Sequence, residues 1–172
     1  MIIKPFDLKK IDLKINKFIL FYGKNEGHKN EGIITLTKNK DEILRYDEKE
    51  VLDNSNTFVE NILSKSLFKN EKVIIIKRAT DKILKVISEI STKNLEDITI
   101  IISADILDKR SKLRLLFEKN VKFICIAYYP DNEQTLSKLT YNFLKIKNIP
   151  ISQAHINLIV NKCNGDRENL MN

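Results

Sequence analysis

Short runs of β-branched and aromatic residues punctuate the chain at Phe18–Tyr22, 43–46, 73–76, 98–102 and Phe123–Ala127. Their near-continuous Ile and Val content fits strands buried on both faces, as in a parallel sheet covered by helices. Helix-length segments lie between them, and several carry start signals. Thr57 stands three residues before Glu60, the spacing of a capping box, and Phe58, Val59, Ile62 and Leu63 then mark one face. Thr80-Asp81 opens another helix, with Ile83, Leu84, Ile87 and Ile90 on its buried side. Asp108 or Ser111 starts a further one that buries Leu113, Leu116 and Phe117. Strands alternating with helices of about 10–15 residues predict a doubly wound α/β domain.

At Tyr129-Pro130-Asp131 the strand pattern stops and only helical patterns follow. Residues 135–147 carry Leu136, Leu139, Tyr141, Phe143 and Leu144. Pro150 and Ser152 restart the chain, and Ile156, Leu158, Ile159 and Val160 supply the next apolar set. Gly165 sits where a left-handed helix end wants a residue without Cβ, and Asp166 can cap a following helix. The predicted organisation is an α/β domain over residues 1–130 and a small helical module over 131–172, incomplete because its last helix has scarcely begun.

Composition narrows the class. With 172 residues and 42% hydrophobic content, the chain can bury a proper core. Few Gly and Pro among 31% charged residues mark an ordered chain. No apolar run approaches the roughly 20 residues that cross a bilayer, and MIIKPFDLKK has no secretory h-region. Cys125 and Cys163 belong to no C-x-x-C, which fits reduced thiols in a cytoplasmic protein. A net charge of +7 suits a nucleic-acid partner, and equally the Lys-, Asn- and Ile-heavy composition of AT-rich coding.

The run from Phe18 to Lys24 ends a strand in Tyr-Gly, where a nucleotide-binding protein begins its phosphate loop. Such a loop needs G-x-x-x-x-G-K-[ST], whose backbone N–H groups close on phosphates and whose Ser/Thr holds magnesium. Here Gly23-Lys24-Asn25-Glu26-Gly27-His28-Lys29-Asn30 has the wrong glycine spacing and no Gly-Lys-Ser/Thr, and Glu26 would repel phosphate. A magnesium carboxylate is expected at the end of a central strand, yet residues 73–76 run into Lys77-Arg78-Ala79. Asp81 beyond them reads as a helix-opening residue, and Asp105 after residues 98–102 is a single acid without a second. His28 and His155 have no Cys or carboxylate at ligand spacing and read as surface or boundary residues. Cys163 reads as a small buried hydrophobe. Ser66-Leu67-Phe68 follows a helix and precedes a polar break, where apolar residues serve either as staples into their own core or as exposed anchors for a partner.

Taken in order, four segments resemble the delta subunit of bacterial DNA polymerase III, the clamp-opening subunit of the clamp loader. They are Ile19-Leu20-Phe21-Tyr22-Gly23, Ser66-Leu67-Phe68 before Glu71-Lys72-Val73, Leu107-Asp108-Lys109-Arg110-Ser111-Lys112-Leu113, and Cys163-Asn164-Gly165-Asp166-Arg167-Glu168-Asn169-Leu170. The resemblance implies an AAA+-like doubly wound parallel sheet followed by a helical lid, and covers most of both. The family's C-terminal collar is absent, so the chain is similar to an N-terminal portion. It further implies a cytoplasmic, non-catalytic subunit without cofactor or metal. The implied partners are the sliding clamp, the other clamp-loader subunits and primed DNA, with no membrane. The family's clamp-binding Leu-Phe pair falls on Leu67 and Phe68, beside Ser66. Lys65 stands where some relatives carry an apolar residue, so the wedge is smaller here. Two other functions compete: an active AAA+ ATPase, disfavoured by the missing phosphate loop, and a stand-alone basic DNA-binding domain, for which no recognition motif is visible.

Overall fold

A computed structural model of the protein describes residues 1–63, 71–93, 95 and 97–171. It contains an open six-stranded sheet of order β1-β6-β2-β5-β4-β3. The strands are β1 (Ile2–Ile3), β2 (Phe18–Tyr22), β3 (Glu42–Asp47), β4 (Lys72–Ala79), β5 (Ile98–Ala104) and β6 (Phe123–Ala127). Every pairing is parallel, with Phe18 in register with both Ile100 and Phe123. The predicted runs are β2 to β6. The edge strand β1 escaped the pattern because two residues carry no period.

Helices cover both faces, which is why the strands are unbroken apolar runs. Phe18, Leu20, Tyr22, Ile74, Ile76, Ile100, Ile102 and Cys125 share one core with α2 (Glu48–Asp53), α3 (Ser55–Leu63), α4 (Leu84–Ser91) and α5 (Lys112–Lys119). On the other face Ile19, Phe21, Val73, Ile75, Ile101, Ile124 and Ile126 meet Leu8, Ile11, Leu13, Tyr128 and Ile33 of α1 (Glu26–Thr37). Truncating one of these buried side chains to Ala costs roughly 2–5 kcal/mol.

Several local expectations need correction. Thr57 is not a cap. Helix α3 begins at Ser55, one residue after α2 and its C-cap Asn54, so the tight helix–helix join sets the start. The capping box lies one helix earlier, where Glu50 Oε2 accepts from Asp47 N–H at 2.7 Å. Asp81 does not cap its own turn either; Thr80 Oγ1 does, accepting from Lys82 N–H at 3.2 Å. The Asp81 carboxylate instead reaches the start of α5, accepting from Ser111 Oγ at 2.6 Å, Leu113 N–H at 2.9 Å and Lys112 N–H at 3.0 Å. Of the two proposed starts for α5, Ser111 is the N-cap, while Asp108 closes the preceding turn on Arg110 and Ser111 N–H.

Strand β4 continues through Lys77, Arg78 and Ala79, with its register against β5 shifted between Ile76 and Ala79. Arg78 takes φ +55° there, a left-handed conformation that a side chain adopts at some cost, as in a bulge.

Beyond β6 the described chain is helical: α6 (Glu133–Ile146), α7 (Gln153–Lys162) and α8 (Arg167–Met171). Asn132 and Ser152 cap α6 and α7. Gly165 turns at φ +79°, and Asp166 accepts from Glu168 N–H at 2.8 Å. Leu136, Ile156 and Val160 form a small core of their own with Ile151 and Leu170. Cys163 is buried, but Tyr141 and Phe143, read as part of the apolar face of α6, are exposed.

Candidate functional site

In open parallel sheets, ligands sit at the carboxyl ends of the strands. Here β2 leaves the sheet through Gly23, whose φ is +126°. A Cβ at that position would lie 2.1 Å from Tyr128 O, so only glycine can turn the chain this close to the segment leaving β6. Gly23 N–H donates to Asp105 O at 3.1 Å and Asn25 N–H to Tyr128 O at 3.4 Å, tying the turn to its neighbours.

A phosphate loop presents open N–H groups at the start of its helix. Helix α1 starts differently. Asn25 Oδ1 accepts from His28 N–H at 3.0 Å, while Asn25 Nδ2 donates to Tyr129 O at 3.1 Å and Asp131 Oδ2 at 2.8 Å. The lysine of a phosphate loop reaches phosphate. Lys29, in the first turns of α1, is instead fully buried, its Nζ donating to Ala104 O at 2.6 Å and pairing with Glu26 Oε1 at 2.5 Å. The space next to the helix start is thus filled by the chain's own polar groups.

Arg167, at the start of α8, closes over this junction. Its Nε and Nη2 reach the two oxygens of Glu31 at 2.8 Å each, and its Nη1 lies 3.2 Å from both oxygens of Asp131. Burial opposes its charge, but the bonds from Glu31 and the charge of Asp131 more than compensate, so its pKa is raised. Alongside, Asn30 Nδ2 donates to Glu168 Oε1 at 2.7 Å. Gly27 gives α8 its room, because a Cβ would sit 3.1 Å from Glu168 N and 3.3 Å from Arg167 Cβ. His28 lies edge-on to Tyr128 with ring centroids 4.9 Å apart, and its pKa is lowered by burial first and by Arg167 next.

A cleft of about 560 Å³ opens beside the junction, lined by residues including Glu26, Asn30, Lys77, Arg78, Thr80 and Asp105. Lys77 and Arg78 are exposed at its rim, and Arg78 pairs with Asp47. Asp105, set aside as a single acid, shares this cleft with Glu26. His28 and His155 are not brought into a cluster: among the described residues, no group of three His, Cys, Asp or Glu side chains could hold a metal ion. Ser66, Leu67 and Phe68 lie outside the described residues, between α3 and β4. Sequence reasoning missed Lys29, Glu31, Asp131 and the Arg167 cluster; their contacts join residues up to 136 positions apart, and nothing local signals them.

Sheet order, parallel pairing and the helix-covered faces define an AAA+-type α/β fold. Several solved structures are similar to the chain in fold at low sequence identity. The DNA clamp loader delta protein (YqeN) of Bacillus subtilis superposes with a TM-score of 0.64 at 16% identity, covering 96% of this chain and 53% of that one. The Holliday junction branch migration motor RuvB of Thermotoga maritima gives 0.57 at 13% identity, covering 96% and 55%. Domain III of the Thermotoga maritima replication initiation protein DnaA gives 0.56 at 13% identity, covering 96% and 76%. The chain therefore spans about half the length of the first two. No protein-family model matches the sequence, and no curated protein matches it. Among the described residues no helix is long and apolar enough to cross a membrane.

Proposed function

We propose that this chain is the clamp-binding, non-hydrolysing subunit of a replicative clamp loader. One observation carries the reading: in a fold shared with a clamp loader delta protein, the β2–α1 junction is filled by Asn25, Lys29 and Arg167 bonded to the chain's own groups. A subunit built this way has no use for phosphate at that junction and acts by binding. Ser66, Leu67 and Phe68 are the proposed contact, with the two apolar side chains entering a pocket on the ring-shaped clamp. A ligand shifts a conformational equilibrium only by its differential affinity for the two states. Tighter seating in the ring with one interface sprung would thus favour opening. The other loader subunits and primed DNA are the remaining proposed partners, and the +7 charge supports weak, salt-sensitive DNA contact.

The test is retention of the chain on its immobilised cognate clamp. Retention is expected; failure to bind at micromolar clamp would overturn the proposal. Calorimetry with Mg-ATP separates the ATPase alternative, since the filled junction implies no binding tighter than millimolar, about −4 kcal/mol.

A further inference from the structure

The stretch from Gln134 to Gly165 holds no Asp or Glu, although the chain carries 23 of them in 172 residues. It does hold Lys138, Lys145, Lys147 and Lys162. Among the described residues none of these lysines is ion-paired. An acid-free, cationic surface is complementary to a polyanion. The structure gives that surface a shape. The first half of α6 is anchored by its buried residues, Leu136 and Thr140. From Tyr141 to Pro150 every residue is exposed except Leu144, so the end of the helix and the loop after it project from the module. Two aromatic rings project with them: Tyr141 is 49% exposed and Phe143 38%. Each has a lysine one turn on. Lys145 Nζ lies 5.9 Å from the ring centre of Tyr141, and Lys147 Nζ 6.0 Å from that of Phe143.

We infer that this projecting end is a platform for single-stranded DNA, with bases stacking on Tyr141 and Phe143 and phosphates pairing with Lys145 and Lys147. The inference rests on the DNA contact proposed above and gives it a place in the fold. A ring beside an ammonium matches the chemistry of a nucleotide, whose base has a π-face and whose phosphate is anionic. Stacking needs free bases, and a duplex keeps its bases in its own stack. Anionic lipid also takes aromatic and lysine side chains together. The geometry disfavours it. Residues two apart on a helix point about 200° away from each other around the axis. A flat bilayer therefore meets one ring–lysine pair, whereas a flexible strand reaches both.

Fluorescence anisotropy of a labelled oligothymidylate of about 16 nucleotides, titrated with the 172-residue chain, tests this. Binding is expected at low salt and should weaken steeply between about 50 and about 200 mM. Tyr141→Ala with Phe143→Ala should weaken it by about tenfold or more without changing its salt dependence, and should leave duplex binding as it was. Lys145→Gln with Lys147→Gln should lower the slope of log affinity against log salt by about 1.4, the share of two phosphates on a single strand. These side chains are exposed, and circular dichroism checks the fold of each variant. Should one pair fail to fold, the other decides. No binding by the unaltered chain, or full binding by either folded double variant, would overturn the platform. So would binding to phosphatidylserine vesicles that depends on the two rings while oligonucleotide binding does not. Retention on the immobilised clamp is a separate readout: its failure with strand binding intact overturns the clamp reading and supports this one.

Discussion

Arg167 and Glu31 meet as two forks, Nε on Oε1 and Nη2 on Oε2, both at 2.8 Å. Paired donors and acceptors in this geometry fix orientation as well as charge. The pair holds α8 to α1 at the turn that follows the central strand. It also sets the electrostatic surroundings of His28.

His28 is half-buried against Tyr128, with Arg167, Asp131 and Glu31 the charged groups that act on it. Burial and then Arg167 hold its pKa below 6.5, against the two carboxylates. The folded state thus favours neutral imidazole. The associated stability is complete above about pH 6.5 and is lost as the pH falls through that value toward the lowered one. Denaturation at pH 7.5 and 5.5 should show weaker folding at the acid end, and His28→Gln should shrink the difference. An unchanged difference would remove His28 as its source.

Asp81→Ala should destabilise the protein by about 1–2 kcal/mol, the scale of a lost helix cap. The Ser111 hydroxyl, against some burial, and the N–H groups of Leu113 and Lys112 hold the Asp81 pKa below its ordinary 3.8. Its contribution is therefore present above about pH 3.8 and fades as the pH falls through the lowered value. Urea titrations of both proteins at pH 7 and pH 3 should show the gap narrowing in acid.

Among the described residues Tyr128 Oη is buried without a hydrogen-bond partner, and a Cβ added at Gly32 would lie 2.3 Å from it. An unsatisfied buried hydroxyl costs about 1–3 kcal/mol, so Tyr128→Phe should be neutral or modestly stabilising. Gly32→Ala should cost roughly 1–3 kcal/mol through overpacking. Combining them should recover part of that loss, because the nearest clashing atom is gone. A double-mutant cycle measures the coupling, and strict additivity would contradict the contact.

Replacing Leu67 and Phe68 together by Ala separates anchor from staple. As clamp anchors, their loss should leave stability within about 0.5 kcal/mol and weaken clamp binding by at least about 2 kcal/mol. As core staples, each would cost roughly 2–5 kcal/mol of folding. Thermal melts and clamp titration of the double variant distinguish the two.

The sequence alone determined the layered α/β plan. Ile and Val runs such as Ile74–Ile76 and Ile100–Ile102 are apolar because both faces of their strands are covered. Ser152 and Asp166 were legible because a cap bonds to N–H groups two or three residues away. The unsuitable glycine spacing after Gly23 was likewise written in consecutive residues. Tertiary structure decided the rest. Nothing in the sequence marked Lys29, whose Nζ donates to Ala104 O at 2.6 Å across 75 positions. Asp81 looked like a cap for its own helix, yet it serves one some thirty residues later. Arg167 acquired its role from Glu31, 136 residues away. Periodicity and capping are relations between neighbours in the chain, whereas a buried charge finds its partner only when the sheet brings distant segments together.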